Sequence, residues 1–99
     1  MTDNELIEQM AHKNGFKRVE SKLREELAEL QMVFARIDYN VINKSKDDLI
    51  QDLIENLYEE IVDAEIMIAQ FRYFLKQSLY DLKREEKIEH IKQLLDADV

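Results

Sequence analysis

A chain of 99 residues with no proline and one glycine, Gly15, has almost no local means of turning sharply. Hairpin sheets and doubly wound folds need many turns, and turns draw on glycine for positive φ and on proline for fixed φ. Long helices joined by a few polar residues need neither. The expected class is therefore all-α: a compact bundle of one short and three longer helices around an antiparallel hairpin core, in a single domain over residues 1–99. A domain of this size buries only about 60–70% of the surface that its unfolded chain exposes. With no cysteine, no disulfide can make up the difference. A partner subunit is the natural further source of buried area.

Apolar spacing places the elements. Thr2 or Asp3 can cap a first helix over Asp3–Lys13, with Glu5 in its first turn. Asn14–Gly15 stops it. A second helix over Phe16–Asp38 turns Phe16, Val19, Leu23, Leu27, Leu30, Phe34 and Ile37 inward at alternating steps of three and four. Asn40, Asn43 and Ser45 make Tyr39–Lys46 a loop. A third helix over Asp48–Lys76 carries Ile50, Leu53, Ile54, Leu57, Ile61, Ala64, Ile68, Phe71 and Leu75, and behind them a second stripe of Val62, Ile66, Ala69 and Tyr73. Two stripes predict that this helix is enclosed, by a fourth helix, a second subunit or both. The simplest assembly is a homodimer with twofold symmetry, or a dimer of dimers. The fourth helix, Leu79–Leu95, points Leu82, Ile88, Ile91 and Leu95 inward, and Asp96–Val99 reads as a frayed end.

Fourteen basic and 22 acidic side chains give a net charge of −8. That balance opposes binding to a nucleic-acid polymer, which depends on neutralising phosphates. No apolar run approaches the roughly 20 residues that span a bilayer, and the acidic stretch Thr2–Met10 is unlike a secretory signal. The expectation is a cytoplasmic protein without membrane contact. No glycine-rich phosphate loop and no Ser–His–Asp set is present. His12 and His90 have no companion ligand at metal spacing, so both read as surface residues. The lack of any E-x-x-H pair counts against a di-iron bundle. Tyr58, Phe71, Tyr73, Phe74 and Tyr80 fall at helical spacing and read as packing, with one of them free to stack on a base.

The acidic residues are not evenly spread. Glu26 and Glu29 form an i, i+3 pair on the second helix, and Glu60 and Asp63 form another on the third, so each pair shares one helix face. A wheel of about 100° per residue puts both pairs on the same rotational edge of their apolar stripes. A short loop makes the helices antiparallel, and antiparallel packing brings the two edges to the same side of the seam. The pairs also lie at similar heights from the loop. One such pair is usually a solvated surface; two matched pairs predict four converging carboxylates. Clustered carboxylates repel one another, and a hard divalent cation such as Mg²⁺, which takes oxygen ligands, relieves the repulsion.

The segments EELAEL at Glu25–Leu30 and NLYEEIVDAEIMIAQ at Asn56–Gln70 resemble the MazG-like nucleoside triphosphate pyrophosphohydrolases, in particular the short single-domain members of bacteria and phages. That family's E-x-x-E … E-x-x-D motif is met by Glu26, Glu29, Glu60 and Asp63. The likeness extends to the Gly15 break, to Lys22-Leu23 and to the basic turn at Lys83–Ile88. The 30 residues between Glu29 and Glu60 make a slightly longer spacer than is usual there. The resemblance implies Mg²⁺-dependent cleavage of an NTP or dNTP between the α and β phosphates, giving the monophosphate and pyrophosphate, with Mn²⁺ as a possible substitute. It implies that the four carboxylates are both metal ligands and catalytic residues, one of the glutamates being available as general base. Lys22 contacts phosphate or pairs with Glu26. Asn56 hydrogen-bonds substrate or sits on the helix surface. The resemblance favours Lys83 and Lys87 as polyphosphate contacts; otherwise they belong to a solvated face paired with Glu85, Glu86 and Glu89. The competing reading is a helical interaction protein that keeps the bundle without catalysis.

Overall fold

The computed structural model describes residues 1–97. It is all-helical: α1 Asp3–Asn14, α2 Phe16–Ile42, α3 Asp47–Arg72 and α4 Gln77–Ala97. Asp96 and Ala97 close α4 as helix, and the rest of the expected frayed end, Asp98–Val99, lies outside the described residues. No described helix is long and apolar enough to cross a membrane.

Thr2 caps α1, its hydroxyl accepting from the Glu5 N–H at 3.1 Å. Asp3 and Glu5 in the first turn and His12 and Lys13 in the last complement the helix dipole. The break to α2 is a single residue. Gly15 sits at φ +80°, where L side chains are strained, and its N–H closes α1 on the Ala11 carbonyl.

The first half of the expected loop at Tyr39–Lys46 is helix. Asn40 and Asn43 donate to the carbonyls of Arg36 and Tyr39, each at 2.7 Å and one turn back, so α2 runs on to Ile42. The turn proper is only residues 43–46, with Lys44 at φ +52° and Ser45 Oγ donating to Asn40 Oδ1. At its other end α3 stops at Arg72 rather than Lys76. The next N–H groups tighten to i−3 carbonyls, Tyr73 to Gln70, Phe74 to Phe71 and Leu75 to Arg72, which is how a helix end gives way to a turn.

The pairing of α2 with α3 is the most extensive in the chain, and α1 lies against both. The buried apolar residues are Ala11, Val19, Val33, Ala64 and Met67. The inward line of α2 is Val19, Leu23, Glu26, Leu30, Val33 and Ile37, buried or half-buried throughout. Phe16, Leu27 and Phe34, expected inward, are exposed, as are Ile68 and Leu75 on α3. Val62, Ile66 and Tyr73 of the second α3 stripe are also exposed, Tyr73 meeting the His12 side chain of α1. Phe16 still stacks with Phe71 and Phe74, each at 5.5 Å between centroids, and so pins the start of α2 to the end of α3. His12 reaches the Tyr73 hydroxyl at 3.0 Å from an exposed position, and His90 is exposed on α4.

α4 departs most from expectation. None of its residues is buried; Leu82, Ile88, Ile91 and Leu95 face solvent. Its start is held by the Arg72 guanidinium, 3.8 Å from the centre of the Tyr80 ring. The radius of gyration is 17.7 Å, against about 13 Å for a compact domain of this length.

Candidate metal centre

The site stands where the inward lines of α2 and α3 cross. One carboxylate oxygen from each of Glu26, Glu60 and Asp63 lies within 4.8 Å of the other two. Glu26 and Glu60 do not sit on the edge of the seam, as the wheel predicts, but inside it. Glu26 is 6% exposed, Glu60 is half-buried, and Asp63 opens to solvent.

Partners are few. Lys22 Nζ meets Glu26 Oε1 at 3.1 Å and reaches Glu25 at 3.5 Å. Glu26 chiefly, through that hydrogen bond, and Glu25 hold the Lys22 ammonium above the ordinary lysine range. The helix-face pairing of Lys22 is thus the one the structure makes. Glu26 Oε2 and Glu60 Oε2 are buried with no hydrogen-bond partner. Buried carboxylate oxygens are normally hydrogen-bonded, paired or on a metal.

Glu29, the fourth expected carboxylate, lies outside the triad but responds to it. Its carboxyl is raised above the ordinary range, first by the charge of Glu26, then by desolvation, and then by Glu60 and Glu25. Asn56 is half-buried on α3, one turn before Glu60. Lys83 pairs with Glu86 at 3.5 Å, and Lys87 is exposed on the same helix. As α4 does not pack along α2 or α3, the single chain does not bring these two lysines to the carboxylates.

Sequence reasoning missed Gln70, which is 8% exposed with an unpartnered Oε1. Its signal was the heptad spacing from Asp63, which puts it on the same α3 face. The donor set is all oxygen, which suits a hard cation such as Mg²⁺ or Mn²⁺ rather than a soft metal. Glu26, Glu60 and Asp63 could hold such an ion, and the two unpartnered oxygens fit that use. The chain matches no protein family, no curated protein and no solved structure.

Proposed function

We propose that this chain is a Mg²⁺-dependent nucleoside triphosphate pyrophosphohydrolase of MazG-like type, acting in the cytoplasm on NTPs or dNTPs. The observation that carries the metal centre is the pair of buried, unpartnered oxygens on Glu26 and Glu60, beside Asp63. The choice of reaction rests on the E-x-x-E … E-x-x-D resemblance. An antiparallel pairing of α2 with α3 across the short turn, in keeping with the meeting of Glu26 and Glu60, supports it.

In this reading Glu26, Glu60 and Asp63 hold Mg²⁺, or Mn²⁺ in its place. The bound ion supplies charge neutralisation at phosphate oxygens and activation of water. The remaining roles belong to the protein. Lys22 fixes one oxygen of Glu26 and leaves the other, buried and unpartnered, for the ion. Glu29, one turn along α2, is the carboxylate free to accept a proton from the attacking water. Asn56 is positioned one turn before Glu60 to hydrogen-bond the nucleotide. Lys83 and Lys87 take no part within one chain.

Self-association completes the proposal. Phe34 on α2, Val62 and Ile66 on α3, and Leu82 and Ile91 on α4 leave apolar side chains open to water, as association surfaces do. A twofold dimer, or a dimer of dimers, would cover them. Light scattering should give a mass of two or four chains at micromolar concentration; a monomer refutes this part.

The test of the activity is pyrophosphate release from a panel of NTPs and dNTPs, with and without Mg²⁺, beside Glu60→Gln. Metal-dependent release that is lost in the variant is expected. Absence of both release and Mg²⁺ binding would overturn the proposal.

A further inference from the structure

A groove of about 450 Å³ lies beside the carboxylates, with Met10, Arg18, Ser21, Lys22, Met67 and Gln70 among its lining. Lys22 joins the two regions, since it lines the groove and also binds Glu26 at 3.1 Å. Gln70 is nine-tenths buried, and its Oε1 has no hydrogen-bond partner. An amide offers an acceptor next to a donor, and a buried amide left unmatched is costly. What the groove lacks is a ligand edge with an N–H beside an acceptor.

We propose that this groove is a nucleobase subsite, with Gln70 pairing to the hydrogen-bonding edge of the base. The proposal rests on the reading of the carboxylates as a metal–triphosphate centre. Three features besides Gln70 fit a flat heterocycle attached to an anion. Met10 and Met67 offer polarisable thioethers, which make favourable contacts with aromatic rings. Arg18 and Lys22 are cations in the lining, and Lys22 is the one that also reaches Glu26. Asp63 and Gln70 stand seven residues apart on one helix face, about 10 Å along the axis. That distance is comparable to the reach of an extended nucleotide from its base to its phosphates.

The test is calorimetric binding, in Mg²⁺, of the α,β-methylene analogues of UTP, CTP, ATP and GTP against inorganic tripolyphosphate. At least one analogue should bind wild type about tenfold or more tightly than tripolyphosphate, a difference of about 1.4 kcal/mol. Gln70→Met keeps the volume and removes the amide, and should bring that ratio close to one. Ser21→Trp fills the groove from an exposed position, so it should have the same effect even if the Gln70 variant does not fold. A wild-type ratio near one, with tripolyphosphate bound, overturns the subsite and leaves the metal centre standing. A ratio that survives both variants also overturns it. Binding of an analogue without binding of tripolyphosphate supports the subsite and tells against the metal centre. Binding of neither overturns both.

Discussion

Replacing Glu60 by glutamine should stabilise the metal-free protein while destroying its response to Mg²⁺. The oxygens of Glu26, Glu60 and Asp63 lie within 4.8 Å of one another; at such a separation, two unit charges in an effective dielectric of about 20 repel by roughly 3 kcal/mol. The Lys22 ammonium cancels part of this, and water at Asp63 screens more. A net relief of about 1 kcal/mol is a reasonable remainder, which for a domain of this size raises Tm by ~4–8 °C. The new amide can also donate to a neighbouring carboxylate, where Glu60 Oε2 now has no partner. Wild type should behave in the opposite sense. At a Mg²⁺ concentration ten times its Kd, binding to the folded state alone contributes about 1.4 kcal/mol, or ~6–11 °C. Melting followed by circular dichroism, in EDTA and in Mg²⁺, measures both. A Glu60→Gln protein that melts below wild type in EDTA, or that gains as much from Mg²⁺, would refute the reasoning.

Lys22→Met removes the one cation paired with Glu26; it should lower Tm in EDTA and recover part of the loss in Mg²⁺, and an unchanged Tm in EDTA would count against the pairing. Glu29→Gln should change the pH dependence. Because the folded protein raises the Glu29 pKa, led by the charge of Glu26, the native state holds this proton more tightly than the unfolded chain does. Metal-free stability therefore falls as pH climbs from the ordinary carboxylate range through the raised value. Urea midpoints in EDTA across that window should fall less steeply in the variant. Val19, 1% exposed, is the test of the core: Val19→Ala should cost about 1–3 kcal/mol through lost burial and a residual cavity. An unchanged urea midpoint would mean that the α1–α2–α3 seam is not where stability resides.

The number of helices and the order of the four acidic residues were legible in the sequence, because both rest on local chemistry. The exact inward faces were not. Two lines on α2 share Val19, Leu23, Leu30 and Ile37. One continues through Leu27 and Phe34, the other through Glu26 and Val33, and hydropathy alone prefers the first. Hydropathy reports which side is apolar, not which side finds a partner within the chain. In the folded chain α3 covers the second line, and the larger side chains of the first remain outside. The helix ends failed for a related reason. Asn40 and Asn43 are loop formers when their side chains compete with the backbone. Here those side chains bond carbonyls one turn back and the helix continues. The position of α4 was not legible at all, since its Leu and Ile residues would read the same against a neighbouring subunit as against its own chain.

The cost of the carboxylates argues for their use. Glu26 and Glu60 occupy positions in a packed seam where leucine would contribute burial without repulsion, and charges in such places cost stability unless compensated. Residues that break a local rule without structural gain tend to mark function. The compensation within the chain is incomplete: Glu26, Glu29, Glu60 and Asp63 stand against Lys22, leaving three formal negative charges. One divalent ion would leave the site still negative, and an anionic triphosphate would then be repelled. In the proposed reaction the nucleotide must therefore arrive with a cation of its own. Pyrophosphate release at fixed, saturating nucleotide should continue to rise with Mg²⁺ after the nucleotide is fully complexed, and should show a Hill slope above one. Saturation at the point where the nucleotide alone is complexed would mean that the triad does not bind an ion in turnover, whatever holds the phosphates.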